Sequence, residues 1–178
     1  MNRHVRCNIV ALAAVSAAAA ASCASMQVTT DRDPRADFAA YQTFDVKRGD
    51  VLVNGVADSR DTLVRERIEV ALEQELGQSG LQRTKQGPDL IATYTAGGRS
   101  VREDGDDWDG AYGGLDHDVP REYTEGRLLI DLIDPKANKL VWRAVVEMES
   151  EDQLRSAENL RKAVDKAFEK YPGRLGAS

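Results

Sequence analysis

Residues 98–120 carry six Asp, one Glu and five Gly in 23 positions, with Trp108, Tyr112 and His117 set among them. Calcium takes hard oxygen ligands, and Asp104, Asp106, Asp107 and Asp109 are the side chains here that would supply them. Their spacing departs from an Asp-x-Asp-x-Asp-Gly loop, and acidic, Gly-rich stretches are more often simply solvated, so these four are weak cation candidates. Trp108 and Tyr112 suggest a different chemistry, because aromatic rings carried on a polar loop become buried anchors when a partner docks. The segment is therefore expected to bind a partner, with no metal and no cofactor. A catalyst finds little to use. His117, between Asp116 and Asp118, is one of only two His in the chain. Gly-x-Ser-x-Gly, His-Glu-x-x-His, a phosphate-binding glycine loop and zinc spacing are all missing. Two Asp distant in sequence but close in space are the remaining route to a hydrolase; the chain is expected not to be an enzyme.

The other reactive side chain is a cysteine. Only Cys7 and Cys23 occur, and both follow a distinctive start. Arg3, His4 and Arg6 are basic, residues 9–21 form an apolar run of 13, and small residues come next, which is the pattern of an export signal over residues 1–22. As a helix that run spans about 20 Å against the roughly 30 Å of a hydrocarbon core, so it is too short to stay in a membrane. Ala20-Ala21-Ser22-Cys23 resembles a lipobox, with Ala20 where that pattern most often has Leu. The competing reading is cleavage after Ala19-Ala20-Ala21, leaving a soluble periplasmic protein with a free thiol. Cysteine usage favours lipidation of Cys23, since Cys7 leaves with the signal and no internal disulfide can form. The two or three acyl chains of a lipoprotein supply the stable anchoring that one chain lacks. Ala24 follows; by resemblance to enterobacterial lipoproteins, the absence of Asp there implies the outer membrane, facing the periplasm.

With 42% apolar and 30% charged residues in 178 positions, the rest of the chain suits one soluble domain. Residues 23–30 are expected to be the lipidated Cys and a short tether, and 31–175 the domain. Loss of Arg3 and Arg6 moves the formal charge from -6 to -8. That acidity opposes nucleic acid and anionic lipid alike, so membrane attachment rests on the covalent lipid.

The elements that must hold these residues follow from periodicity. Phe44 and Val46 share a face of a short strand within 41–46, an edge through which copies of the chain would pair. Residues 49–58 read as a loop. Val64, Ile68, Ala71, Leu72 and Leu76 recur at helical spacing over 59–79, with Gly80 as the stop. Leu90, Ala92 and Tyr94 alternate over 89–95, as do Leu128, Ile130 and Leu132 over 127–133, and Leu140, Trp142, Ala144, Val146 and Met148 over 140–148. Turn-forming residues 134–139 join the last two into a hairpin, with Trp142 in the core and Asp131 and Arg143 as a cross-strand pair. Asp33, Asp37, Asp89 and Asp134 stand at element boundaries, where carboxylates cap turns. A second helix runs over 154–171 on Ala157, Leu160, Val164, Ala167, Phe168 and Tyr171, with Ser150 and Gln153 as a capping box. The order β-α-β-β-β-α predicts an α+β fold, an antiparallel-dominated β-sheet with two helices packed on one face.

Those elements resemble a bacterial lipoprotein family, domain of unknown function 4136. The matching stretches are Asp33-Pro34-Arg35-Ala36-Asp37-Phe38, Tyr41-Gln42-Thr43-Phe44, Pro88-Asp89-Leu90-Ile91-Ala92-Thr93-Tyr94, the run from Glu125 through Arg127 and Asp131 to Asp134, Leu140-Val141-Trp142-Arg143-Ala144, and Tyr171-Pro172. The resemblance implies a fold and lipoprotein status but no activity. The functional expectation is a non-catalytic envelope module, membrane-attached by its lipid, that binds an envelope protein or cell-wall component. The alternative is an apolar-ligand or lipid-binding periplasmic protein with a pocket between helices and sheet.

Overall fold

The computed structural model describes residues 26–53, 56–57, 61–103 and 121–173. Eight strands run in the order β1 (Met26–Arg32), β2 (Thr43–Val46), β3 (Asp50–Val53), β4 (Val56–Ala57), then after a helix β5 (Gln82–Arg83), β6 (Leu90–Glu103), β7 (Arg121–Asp134) and β8 (Lys139–Met148). The helices are α1 (Thr62–Gln78) and α2 (Ala157–Phe168), the latter preceded by a 3-10 turn over Glu151–Arg155.

All eight strands join one sheet in the order β1-β8-β7-β6-β2-β5, with β3 beside β6 further along and β4 paired to β3. Strands β1, β8, β7 and β6 are mutually antiparallel, whereas β2 and β3 pair parallel to β6 and β5 parallel to β2. The fold is α+β, but the sheet is mixed, which corrects the antiparallel-dominated expectation. The cause is the connection: α1 carries the chain from β4 back to β6, and a crossover of that length is what parallel pairing needs.

Alternation along the strands works as expected. Ala92, Tyr94 and Ala96 of β6, Leu128, Ile130 and Leu132 of β7, and Trp142, Ala144, Val146 and Met148 of β8 are all at most 2% exposed. They form one core with Ile68, Leu72 and Leu76 of α1 and Leu160, Val164 and Phe168 of α2. Each fully buried large side chain contributes about 1.5–3 kcal/mol against its exposed state, so the layer between helices and sheet is the main source of stability.

Asp61 caps α1 by accepting from the Val64 N–H at 3.3 Å. Gly80, at φ 90°, ends it, with Leu81 N–H donating back to Leu76 at 3.1 Å, a left-handed stop that glycine adopts without strain. The second helix starts later than expected. Ser156, not a Ser150 and Gln153 box, accepts from Asn159 N–H, and Ser150 makes no side-chain cap bond, because residues 151–155 form the 3-10 turn first.

Three further boundaries differ from expectation. Met26–Arg32, placed largely in the tether, is strand β1, in continuous register with β8 from Met26 opposite Met148 to Arg32 opposite Trp142. Within residues 41–46, Thr43 and Phe44 are not at an edge, since β2 lies between β5 and β6 there. Residues 98–103, expected to begin the acidic loop, extend β6, and their partners 121–126 extend β7. Gly98 lies opposite Gly126 there; a Cβ at Gly98 would meet the movable Glu151 Oε2 at 2.5 Å, whereas one at Gly126 has no room, meeting the Ser150 backbone carbonyl oxygen at 2.5 Å. The glycine pair is thus the platform on which the 3-10 turn sits.

β1 is the exposed long edge. Asp33 N–H donates to Val141 C=O at 2.9 Å, so by antiparallel alternation Met26, Val28, Thr30 and Arg32 turn their backbone groups outward. Two of those groups are occupied: Lys170 donates to Val28 C=O at 2.5 Å, and Arg32 N–H donates to the Asp31 carboxylate at 2.8 Å. Such covering hinders edge-to-edge pairing.

Candidate functional site

Cys23, Trp108, Tyr112, His117 and the cation candidates Asp104, Asp106, Asp107 and Asp109 lie outside the described residues. Among the described residues, no three His, Cys, Asp or Glu side chains gather as a metal site. What the fold does bring together is the set of boundary carboxylates from the stretches on which the family resemblance rests.

At the sheet end carrying the β7–β8 turn, a cavity of about 370 Å³ is lined by Asp33, Arg35, Tyr41, Asp134 and Lys139 over Ala36 and Val141. The segment 33–41 crosses this end because Asp33 and Asp37 nucleate successive tight turns, accepting from Arg35 N–H at 3.0 Å and Ala39 N–H at 3.1 Å. Asp134 does the same for the hairpin turn, accepting from Lys136 and Ala137 N–H at 2.8 and 3.0 Å, while Asn138 takes the left-handed φ of 51°. The second Asp134 oxygen accepts from the Tyr41 hydroxyl at 3.3 Å. Tyr41 therefore ties the first turn to the last.

Charge organises the rest. Lys139 and Arg35 both pair with Asp33. The Lys139 ammonium, helped by the Arg35 N–H, holds the Asp33 carboxyl at about 2. Next to it, one Asp89 oxygen accepts from Lys136 Nζ at 2.7 Å and the other from the Thr43 hydroxyl at 2.8 Å and the Gln42 and Thr43 N–H groups at 3.1 Å. The Lys136 and Thr43 contacts hold Asp89 far below the carboxylate range. Burial, followed by the Asp134 charge, pushes the Tyr41 hydroxyl up. These shifts keep both carboxyls ionised and Tyr41 protonated at neutral pH, whereas proton-transfer groups work best with pKa values near the operating pH. The arrangement suits fixed charge recognition better than acid-base chemistry.

Beneath the cavity, Phe38 stands edge-on to Tyr41 at 6.1 Å and to Tyr171 at 5.7 Å, and Tyr171 packs on Trp142 and Phe168 at 5.5 Å each. The C-terminal Tyr171 is thereby a floor support, only 1% exposed. Trp142 is a core residue as expected. Sequence reading placed Tyr41 on a strand and Lys139 in a turn and gave neither a role in a site. Their presence in or beside the resembling stretches was the available signal.

The family model for a domain of unknown function, DUF4136, matches residues 28–173. Among solved structures, the chain is similar to a DUF4136 family protein from Bacteroides thetaiotaomicron at 18% identity and a TM-score of 0.56, over 83% of this chain and 96% of that one. It is also similar to a PDZ domain protein from Parabacteroides distasonis at 18% identity and a TM-score of 0.54, over 83% of this chain but only 36% of that longer one. At such identities the likeness shows the fold alone. No curated protein matches the chain. The match over residues 28–173 spans nearly all of the described fold, and the chain belongs to the DUF4136 family, a domain of unknown function.

Proposed function

We propose that the chain is a non-catalytic envelope module, lipid-anchored through Cys23 at the outer membrane, that binds an envelope protein or cell-wall component from the periplasmic side. The observation that carries this reading is the placement of the two ends of β1. Met26, its first residue, follows Cys23 by three positions, a reach of about 10 Å when extended. Asp33, immediately after its last residue, opens the charged cavity, and seven residues at about 3.3 Å each separate the ends by about 23 Å. An anchor on Cys23 holds one end of the sheet at the bilayer and leaves the cavity at the other, where Arg35, 82% exposed, and Tyr41 are open to a partner.

A photocrosslinking amino acid at position 35, in cells making the full chain, tests it. A discrete adduct with one envelope protein, or with peptidoglycan, is expected with Cys23 intact, and its loss with Cys23→Ala. Identical labelling of many proteins by both forms would count against a specific anchored partner.

A further inference from the structure

The face of the sheet away from the helices carries a groove. On that face Thr95 of β6, Leu129 of β7 and Val145 of β8 stand in one register row, and Gly97 and Arg127 stand in the next. β3 lies along the groove's side, with Leu52 paired to Gly97. A Cβ at Gly97 would come within 2.8 Å of the Leu52 Cβ, so glycine is what lets β3 approach and shape the wall. The resulting cavity, about 380 Å³, is lined by Leu52, Thr95, Leu129, the glycines 97 and 98, and two arginines, Arg127 and Arg143. That volume falls within the range of small-molecule sites, which are mostly apolar with a few placed polar groups.

The two arginines differ. Arg143 gives Nε and Nη2 to the two oxygens of Asp131 at 2.7 Å each, so its guanidinium is engaged and its stem forms wall. Arg127 is exposed, stands opposite Glu147 in register, and has no ion-pair partner among the described residues. Among the described residues that line the cavity, none is acidic. A chain of formal charge -6 thus presents an apolar trough with Arg127 as an available cation at its rim, which complements a ligand that is apolar along its length and anionic at its head.

We propose that this groove binds a single-chain amphiphile with an anionic headgroup, the alkyl chain against Leu52, Gly97 and Leu129 and the head at Arg127. It lies on the face of the sheet opposite the one where a pocket between helices and sheet was expected and where the buried core sits. Arg127 adjoins Gly126, in register with Met148 and through it with Met26. If Cys23 is the anchor, as the functional reading holds, that end of the groove lies beside the bilayer from which such a ligand would come; the groove itself does not depend on the anchor.

The test is calorimetric titration of dodecyl phosphate, below its micelle concentration, into the mature chain from residue 23 carrying Cys23→Ser. Saturable one-to-one binding is expected, with inorganic phosphate and dodecanol each at least about tenfold weaker. Arg127→Ala should weaken dodecyl phosphate about tenfold and Arg127→Glu further, the scale of one charge-assisted contact. Gln74→Ala, on the far side of the molecule in α1, should change nothing. Absence of saturation, equal affinity for inorganic phosphate, or unchanged binding by both Arg127 variants would overturn the proposal. Failure here would leave the anchor and the charged cavity untouched, because neither uses this face.

Discussion

Asp131 and Arg143 face each other across β7 and β8 and share two hydrogen bonds of 2.7 Å, carboxylate to guanidinium. Asp31 of β1 occupies the same register row on the other side of Arg143, so its charge also acts on the guanidinium on the face without helices. The Asp131 contact raises the Arg143 pKa above its already high value. A double-mutant cycle of Asp131→Ala and Arg143→Ala, followed by urea denaturation, should give a coupling of about 1 kcal/mol, the upper part of the range for partly exposed pairs with good geometry. Strictly additive effects would mean that the pair is solvated and contributes nothing.

The glycines of the fold should divide sharply. Gly126→Ala forces a Cβ against the Ser150 carbonyl and should lower stability by about 1–3 kcal/mol, the usual cost of overpacking. Gly77→Ala, in α1 with nothing within 4 Å of the new Cβ, should raise stability by about 0.5–1 kcal/mol. Thermal unfolding of the two variants checks both signs in one experiment, and equal shifts would show that the 3-10 turn yields to the added methyl group.

Acid should loosen the cavity end first. Asp33 is held at about 2 and Asp89 is also depressed, against about 3.9 for an unfolded Asp. A lowered folded pKa gives stability that is complete above the unfolded value and lost as pH falls from about 4 towards 2. Asp89→Asn removes the ionic share of the contacts to Lys136 and Thr43 and should cost about 1 kcal/mol at pH 7. That difference from the parent chain should shrink between pH 4 and pH 2; a constant difference across that interval would assign it to shape instead of charge.

The hairpin of β7 and β8, the Asp131–Arg143 pair, the burial of Trp142 and the turn-capping roles of Asp33, Asp37 and Asp134 were legible in the sequence because each depends on local periodicity or on one tight turn, whereas Asp89, expected to cap a turn, instead accepts from the distant Gln42 and Thr43. β1 was not. Its inward residues Met26, Val28 and Thr30 are only half-buried, so the apolar alternation is faint, and it pairs with β8 more than a hundred residues away. Likewise β3 follows Gly49, read as loop, and joins the sheet through parallel register with β6, distant in sequence. Gly98 looked like the start of a loop because a strand glycine that serves close packing cannot be told from a turn glycine without its neighbour, here Glu151. The charged cavity assembles from positions 33, 35, 41, 134 and 139, spacings that carry no periodic signal. The acidic-aromatic stretch that dominated the sequence reading falls at 104–120, beyond the described residues.

Intact-mass analysis of the chain extracted from cell membranes tests the anchored account most directly. The account predicts a mature protein beginning at Cys23 whose mass exceeds that of the polypeptide by a diacylglycerol and its further acylation, absent from the Cys23→Ala variant. A soluble species beginning at Ser22 with an unmodified thiol would contradict it.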